Sequence, residues 1–231
     1  MNNLRKFNWI TQYNSAKEGE ELVKPSVSLV IDKAVVIYDY TPLKFMATYD
    51  DGRTYKLECD ENATLTSGDT KPSGYEASAM TSAVIGSCIT SISRYTFDGC
   101  IGLTSIDIQS GVTTIGDMAF FLCRNLTSID IPNSVTSIGE AAFNNCSGLT
   151  SVTIGSNVIS IGRSAFNETK NVKYLTSYAI TPPTLGNYAL SDLRYSVLDV
   201  YVPDISVNTY KSASGWNIFA SRIKPISQKP S

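Results

Sequence analysis

The 231-residue chain contains no histidine. That absence excludes every Ser-His-Asp or Cys-His mechanism and every histidine-ligated metal site. Charge is scarce too: 17% of residues are charged, and 19 basic against 21 acidic side chains leave a formal net charge of −2. A chain this poor in charge is not a charge-solvated disordered protein. No basic stripe stands out, so nucleic-acid binding has no electrostatic footing. No apolar run reaches the roughly 18 residues of a membrane-spanning helix. The opening residues, MNNLRKFNWITQYNSAKEGEEL, show no continuous apolar stretch and no small-residue cleavage site, so no secretory signal is visible. Five cysteines is an odd number, which excludes a fully paired intrachain framework. A hydrophobic fraction of 42% nevertheless gives the chain enough apolar material for a real core.

What the chain does have is a repeat. Ile89–Gly111, Val112–Ser134, Val135–Asn157 and Val158–Ile180 align with a period of 23. Ile92, Ile115, Ile138 and Ile161 share a column, as do Phe97, Phe120, Phe143 and Phe166. Cys100, Cys123 and Cys146 share another, broken by Thr169. Leu103, Leu126, Leu149 and Val172 precede Ile106, Ile129, Val152 and Leu175, and then Ile108, Ile131 and Ile154. A half unit, Met80–Ile85, falls one period before Leu103–Ile108 and predicts a lone opening strand.

The columns have a physical reading. In Leu-x-x-Ile-x-Ile the isoleucines alternate at period two, which predicts a short strand with one apolar face. The Ile-Gly-x-x-Ala-Phe-x-x-Cys segment spaces its apolar residues helically, which predicts a short helix or 3₁₀ turn. One unit cannot bury its own apolar face, but stacked units make a continuous core. The predicted fold is mostly β with short helical turns: a leucine-rich-repeat solenoid with an N-terminal β extension and a C-terminal cap.

The repeats, typified by SVTSIGEAAFNNCSGLTSVTIGS, resemble the BspA-like leucine-rich repeats, common in surface proteins of Bacteroidetes and some protists. Thr181–Gly186, Leu198–Pro203 and Tyr210–Trp216 resemble the closing unit of such arrays. There Val197–Val202 reads as a strand, Asp204 or Ser206 as the cap of a short helix through Tyr210–Ala213, and Gly215 as its stop. Trp216 and Phe219 are expected to cover the open end. A shorter resemblance, over Pro25–Tyr38, is to leader segments of virion accessory proteins of Bacteroidetes phages.

Four segments follow: an N-terminal anchor over 1–24, a small β unit and linker over 25–75, repeats over 76–180, and a capping unit over 181–231. The anchor carries an apolar cluster at Leu4, Phe7, Trp9, Ile10 and Tyr13. Val27–Ile31, Val35–Tyr40, Lys44–Tyr49 and Arg53–Cys59 read as strands, with Asp51-Gly52 as a hairpin turn. Gly68–Tyr75 reads as a turn-rich linker.

Candidate chemistry is sparse. The cysteine column lies along a line, so it predicts buried free thiols rather than a tetrahedral zinc site. Cys59 and Cys88 stand outside the column, where pairing with each other is the less expected outcome. Asp107 and Asp130 stack at the outward strand position, followed by Thr153. Two carboxylates about 5 Å apart on neighbouring strands can hold calcium or act as an acid/base pair, but the expected reading is a solvated polar face. Thr104, Thr127 and Thr150 give a hydroxyl column that reads either as repeat upkeep or as a recognition face. Phe121 breaks a polar column, and with Arg124 beside it resembles an interface anchor. Glu140 and Arg163 are placed to pair between rungs.

No catalytic residue, metal ligand or cofactor is predicted. The expected function is a non-catalytic interaction module on an extracellular surface, of a virion or a bacterial cell. Its N-terminus attaches it to a larger assembly, such as a phage particle in which it is a head or tail accessory protein, and its repeats present a recognition face. The alternatives are a secreted adhesin binding host protein or glycan, and a structural decoration without ligand. Partners are proteins, in an oligomer or particle, with no nucleic acid.

Overall fold

A computed structural model describes residues 29–31, 34–36, 42–59, 64–195 and 198–230. The chain divides into two compact units, Met1–Tyr40 and Thr41–Ser231. In the first, β1 (Leu29–Ile31) and β2 (Ala34–Val36) form an antiparallel pair, with Val30 opposite Val35. β1 falls within the expected strand Val27–Ile31, and β2 overlaps the start of the expected strand Val35–Tyr40. The anchor cluster Leu4, Phe7, Trp9, Ile10 and Tyr13 lies outside the described residues.

The second unit is a solenoid with two parallel ladders. It begins with β3 (Leu43–Tyr49) and β4 (Thr54–Glu58), antiparallel strands joined across Asp51-Gly52, where Gly52 takes a φ of 81°. Next come β5 (Thr64–Leu65), helix α1 (Ser67–Thr70) and β6 (Met80–Ile85). The repeats then alternate long and short strands. The short ones are β7 (Ser91–Ile92), β9 (Thr114–Ile115), β11 (Ser137–Ile138), β13 (Ser160–Ile161) and β15 (Thr184–Leu185). The long ones are β8 (Ser105–Ile108), β10 (Ser128–Asp130), β12 (Ser151–Ile154) and β14 (Tyr174–Ser177). The closing unit supplies β16 (Asp199–Val202), helix α2 (Val207–Ser212) and β17 (Ile223–Pro225).

The short strands form one sheet in the order β15-β13-β11-β9-β7-β5. The long strands form two blocks, β4-β3-β6-β8 and β10-β12-β14-β16-β17, joined where the Thr127 N–H donates to Thr104 O at 3.2 Å. Register advances by one period per rung, so Ile129 faces Val152 and Val152 faces Leu175. The expected N-terminal β extension is real, and its attachment is specific. β3 pairs antiparallel with β6, while β6 pairs parallel with β8. The residues expected to be a linker begin instead with α1, whose Asp69 carboxylate accepts from the Thr66 N–H and hydroxyl at 2.8 Å. The ammonium of buried Lys44 lies 3.3 Å from the same carboxylate.

The core is a set of side-chain ladders. Phe97, Phe120, Phe143 and Phe166 are fully buried, with ring centroids 4.9, 5.0 and 5.1 Å apart and nearly parallel planes. Phe45 of β3 closes the stack at its N-terminal end, tilted at 5.8 Å. Cys100, Cys123 and Cys146 are free and buried, as the column predicts. They also link rungs: Cys123 Sγ donates to Phe97 O at 3.2 Å and Cys146 Sγ to Phe120 O at 3.1 Å. Burial pushes the Cys100 thiol up to about 12, with Cys123 adding to the shift. The glycine after β9, β11, β13 and β15 is a matter of space. A Cβ at Gly139 would lie 2.5 Å from Asp117 N, and one at Gly162 would lie 2.6 Å from Glu140 N.

Three expectations are corrected. The Ile-Gly-x-x-Ala-Phe-x-x-Cys segment is not helical. Each copy is a run of linked turns with two left-handed residues, such as Met118 (φ 51°) and Leu122 (φ 62°), then Ala141 (φ 52°) and Asn145 (φ 61°). Alternate N–H groups there reach to the next rung instead of back along a helix: Met118 N to Glu140 O, Phe120 N to Ala142 O and Leu122 N to Asn144 O, at 2.8 to 3.0 Å. Those rung-to-rung bonds offset the strain of non-glycine residues at positive φ. Second, Ser206 stands at the N-cap position of α2, but neither its side chain nor that of Asp204 makes a capping bond. Ser206 Oγ donates to Ile180 O, and Asp204 Oδ1 accepts from Ser227 N. Nor does Gly215 stop the helix, which ends at Ser212 with Ala213 as its C-cap. Third, Cys59 and Cys88 are bonded to each other, with their Cα atoms 6.5 Å apart. The bond ties the chain just after β4 to the loop after β6. Trp216 and Phe219 do cover the last rung, both fully buried.

Candidate functional site

Strand alternation sends Ile106, Ile129, Val152 and Leu175 toward the core and their neighbours outward. The outward columns of the long-strand sheet are therefore Ser105, Ser128, Ser151 and Tyr174, and beside them Asp107, Asp130, Thr153 and Thr176. The candidate pair Asp107 and Asp130 sits in this surface with Thr153. Asp107 is half-buried and Asp130 exposed. Burial raises the Asp107 carboxyl above its ordinary value. Among the described residues no group of three or more acidic or thiol side chains converges as a metal site would require.

The candidate threonines stand at the start of the long strands, and their hydroxyls are occupied. Thr104 Oγ1 donates to Thr81 O, Thr127 Oγ1 to Thr104 O, and Thr150 Oγ1 to Thr127 O, at 3.0 to 3.2 Å. Each hydroxyl thus ties its rung to the one before while keeping lone pairs toward solvent. Phe121 and Arg124 belong to a different part of the rung, the long turn between β9 and β10. Phe121 is half-buried and Arg124 exposed. The structure therefore places the candidates in three groups: a face holding Asp107, Asp130 and Thr153, a column of rung-to-rung hydroxyls at Thr104, Thr127 and Thr150, and the turn pair Phe121 and Arg124.

Glu140 and Arg163 pair across rungs as expected, with Arg163 Nε 3.1 Å from Glu140 Oε1. The guanidinium holds the Glu140 carboxyl below its ordinary value. Both side chains are exposed, so the pair adds little stability. At its C-terminal end the outward face changes character. Tyr174 and Tyr178 are exposed, and the hydroxyl of Thr176 is buried without a partner. A shallow cleft of about 560 Å³ opens beside Thr153 and is walled by Pro132, Asn133, Ser156 and Tyr178. Sequence reading did not single out Tyr178. The signal was present, because its column holds Gln109, Pro132 and Gly155, none of them aromatic.

A stack of 23-residue units, each giving a strand to both ladders over a core of Leu, Ile and Phe columns, is a leucine-rich-repeat solenoid. More particularly, the chain belongs to the BspA-type leucine-rich repeat family, six copies of whose repeat span residues 71–195. Similar solved structures include the pneumococcal vaccine antigen PcpA, with 18% identity over 72% of this chain and 38% of that one and a TM-score of 0.49. A leucine-rich repeat protein from Eubacterium ventriosum shows 26% identity over 68% of this chain and 39% of that one, with a TM-score of 0.43. One from Bacteroides ovatus shows 19% identity over 70% and 47%, with a TM-score of 0.46. The chain thus spans about two fifths of the length of the first two. No match is found among curated proteins. The family's repeats begin at residue 71, so they do not reach the segment 25–38 on which the phage resemblance rests.

Proposed function

We propose that this chain is a non-catalytic protein-recognition module presented at a bacterial cell surface. The observation that carries this reading is the outward face of the long-strand sheet. Small hydroxyl and carboxylate side chains, from Ser105 and Asp107 to Ser151 and Thr153, stand in fixed register on a backbone locked rung to rung. Such a face costs little entropy to present, because its side chains are short and its backbone is already ordered. Proteins built of these repeats are typically non-catalytic binding modules. The Cys59–Cys88 disulfide fits an oxidising, extracytoplasmic setting. Attachment to a larger assembly through residues 1–24 remains part of the proposal, with Leu4, Phe7, Trp9, Ile10 and Tyr13 as the anchoring side chains.

The test is biolayer interferometry of the immobilised full-length chain against purified secreted and cell-surface proteins. Saturable binding to at least one protein, weakened in an Asp107→Asn, Asp130→Asn double variant that still folds, supports the reading. No binding to any protein, or chemical turnover of a bound one, overturns it.

A further inference from the structure

At one place on the solenoid the repeat pattern breaks three times, each time toward an exposed apolar side chain. Ile159 stands where the preceding rungs have Thr90, Thr113 and Thr136. Ile180 stands where they have Gly111, Ser134 and Asn157, and Tyr178 where they have Gln109, Pro132 and Gly155. Ile159 is 68% exposed, Ile180 63% and Tyr178 44%. All three line one open groove of about 760 Å³, together with Pro182.

Upkeep of the array does not account for these residues. In the threonine column each hydroxyl donates to the carbonyl one rung earlier: Thr113 to Thr90 O at 2.9 Å and Thr136 to Thr113 O at 3.2 Å. Ile159 gives up that bond and places a branched hydrocarbon in water instead. On the next rung Pro183 is in register with Ile159, and the neighbouring Thr184 Oγ1 donates to Ile159 O at 3.2 Å. Stability alone favours threonine at 159, so the isoleucine points to a purpose other than folding.

The groove wall is also held rigid. Three side chains of the closing unit pin three backbone carbonyls there. Tyr210 OH donates to Ala179 O at 2.8 Å, Ser206 Oγ to Ile180 O at 2.7 Å and Trp216 Nε1 to Pro183 O at 2.9 Å. A wall fixed before binding loses little entropy when a ligand arrives. Among the described residues no Asp, Glu, Lys or Arg lines the groove, nor the adjoining cleft beside Thr153. A charged segment would be desolvated there without a partner, whereas an uncharged one would not. Tyr178 borders both hollows, so the groove continues from the outward face of the sheet.

We propose that the groove formed by Ile159, Tyr178, Ile180 and Pro182 binds an uncharged, apolar peptide segment of a partner protein, anchored by one large aliphatic or aromatic side chain. This assignment rests on the protein-recognition reading above and gives it a location and a partner chemistry.

The probe is a displayed library of random octapeptides selected on the full-length chain, with the selected peptides then measured by fluorescence polarisation. The expected result is that selected peptides are uncharged and carry a large apolar residue. Their affinity falls at least tenfold in an Ile159→Thr, Ile180→Asn variant, which restores the repeat's own residues and keeps its melting temperature. It is unchanged in Ile101→Ser, which removes an exposed isoleucine from a long turn. Charged peptides, or equal binding to the restored variant, overturn the assignment. So does a dimer that the restored variant dissolves, which would make a second copy the occupant. Loss of neutral-glycan binding in place of peptide binding overturns it as well. If peptides bind the restored variant undiminished, the groove fails while protein recognition stands. If neither peptides nor proteins bind, both fail.

Discussion

Replacing one ring in the phenylalanine stack measures what holds the rungs together. Phe143 has a parallel neighbour on both sides, Phe120 at 5.0 Å and Phe166 at 5.1 Å. Phe166 has only one, because the next rung continues with Ala189 and Leu190. Both rings are fully buried. Changing either to leucine removes a similar amount of buried hydrocarbon, about 1 kcal/mol. Each stacked pair lost adds roughly 0.5–1.5 kcal/mol beyond burial. Phe143→Leu therefore costs about 2–4 kcal/mol and Phe166→Leu about 1.5–2.5, leaving a gap of about 1 kcal/mol for one ring–ring contact. Urea denaturation followed by near-ultraviolet circular dichroism reads both values, provided the slope of free energy on urea is the same for each. That condition matters because a solenoid can unzip from one end. If Phe166→Leu costs as much as Phe143→Leu, the stack contributes no more than its buried area.

Gly139→Ala forces a Cβ to within 2.5 Å of the preceding rung's backbone, so a loss of at least 2 kcal/mol is expected by the same denaturation assay. Cys59→Ser with Cys88→Ser opens a link of sequence separation 29, which in the chain-entropy picture costs about 3–4 kcal/mol. Thiol titration of the unreduced protein should find three reactive thiols after denaturation and almost none before; prompt labelling of the folded chain would contradict the burial of the cysteine column. Burial pushes the Cys100 thiol and the Tyr49 and Tyr210 hydroxyls each up to about 12. The folded chain keeps these protons where the unfolded chain releases them, so stability is intact below about pH 9 and falls as pH rises toward 12. Stability that stays flat over that range would mean these groups are not desolvated.

The ladders were legible in the sequence because each column repeats one chemistry at a fixed interval. The stacked phenylalanines, the buried thiols and the lone opening strand at Met80–Ile85 all follow from period and apolar alternation. The long turn was not legible. Helical spacing of Ala, Phe and Cys also suits a turn whose alternate N–H groups bond the next rung, and Met118 and Ala141 carry no mark of their left-handed backbone. Nor does composition show where a hydroxyl points, so Ser206 read as a helix cap although it serves Ile180 O. The Cys59–Cys88 bond was hidden because β3 folds back to pair with β6, which brings distant positions together. At the candidate site, periodicity picked out Asp107, Asp130 and Thr153 but could not separate upkeep from recognition. Nor could it show that the hydroxyls of Thr104, Thr127 and Thr150 each bond a carbonyl one rung earlier.

The central claim is that this array keeps its fold with its columns and recognises a protein with the residues that face outward from them. A substitution scan of outward positions, scored separately for folding and for affinity to a protein partner, tests it directly. The account predicts that affinity is lost without loss of folding at Asp107, Asp130, Tyr178, Ile159 and Ile180. It also predicts that Thr104, Thr127 and Thr150 affect folding first. Affinity that falls only where folding falls, or only at Phe121 and Arg124 in the long turn, would contradict it.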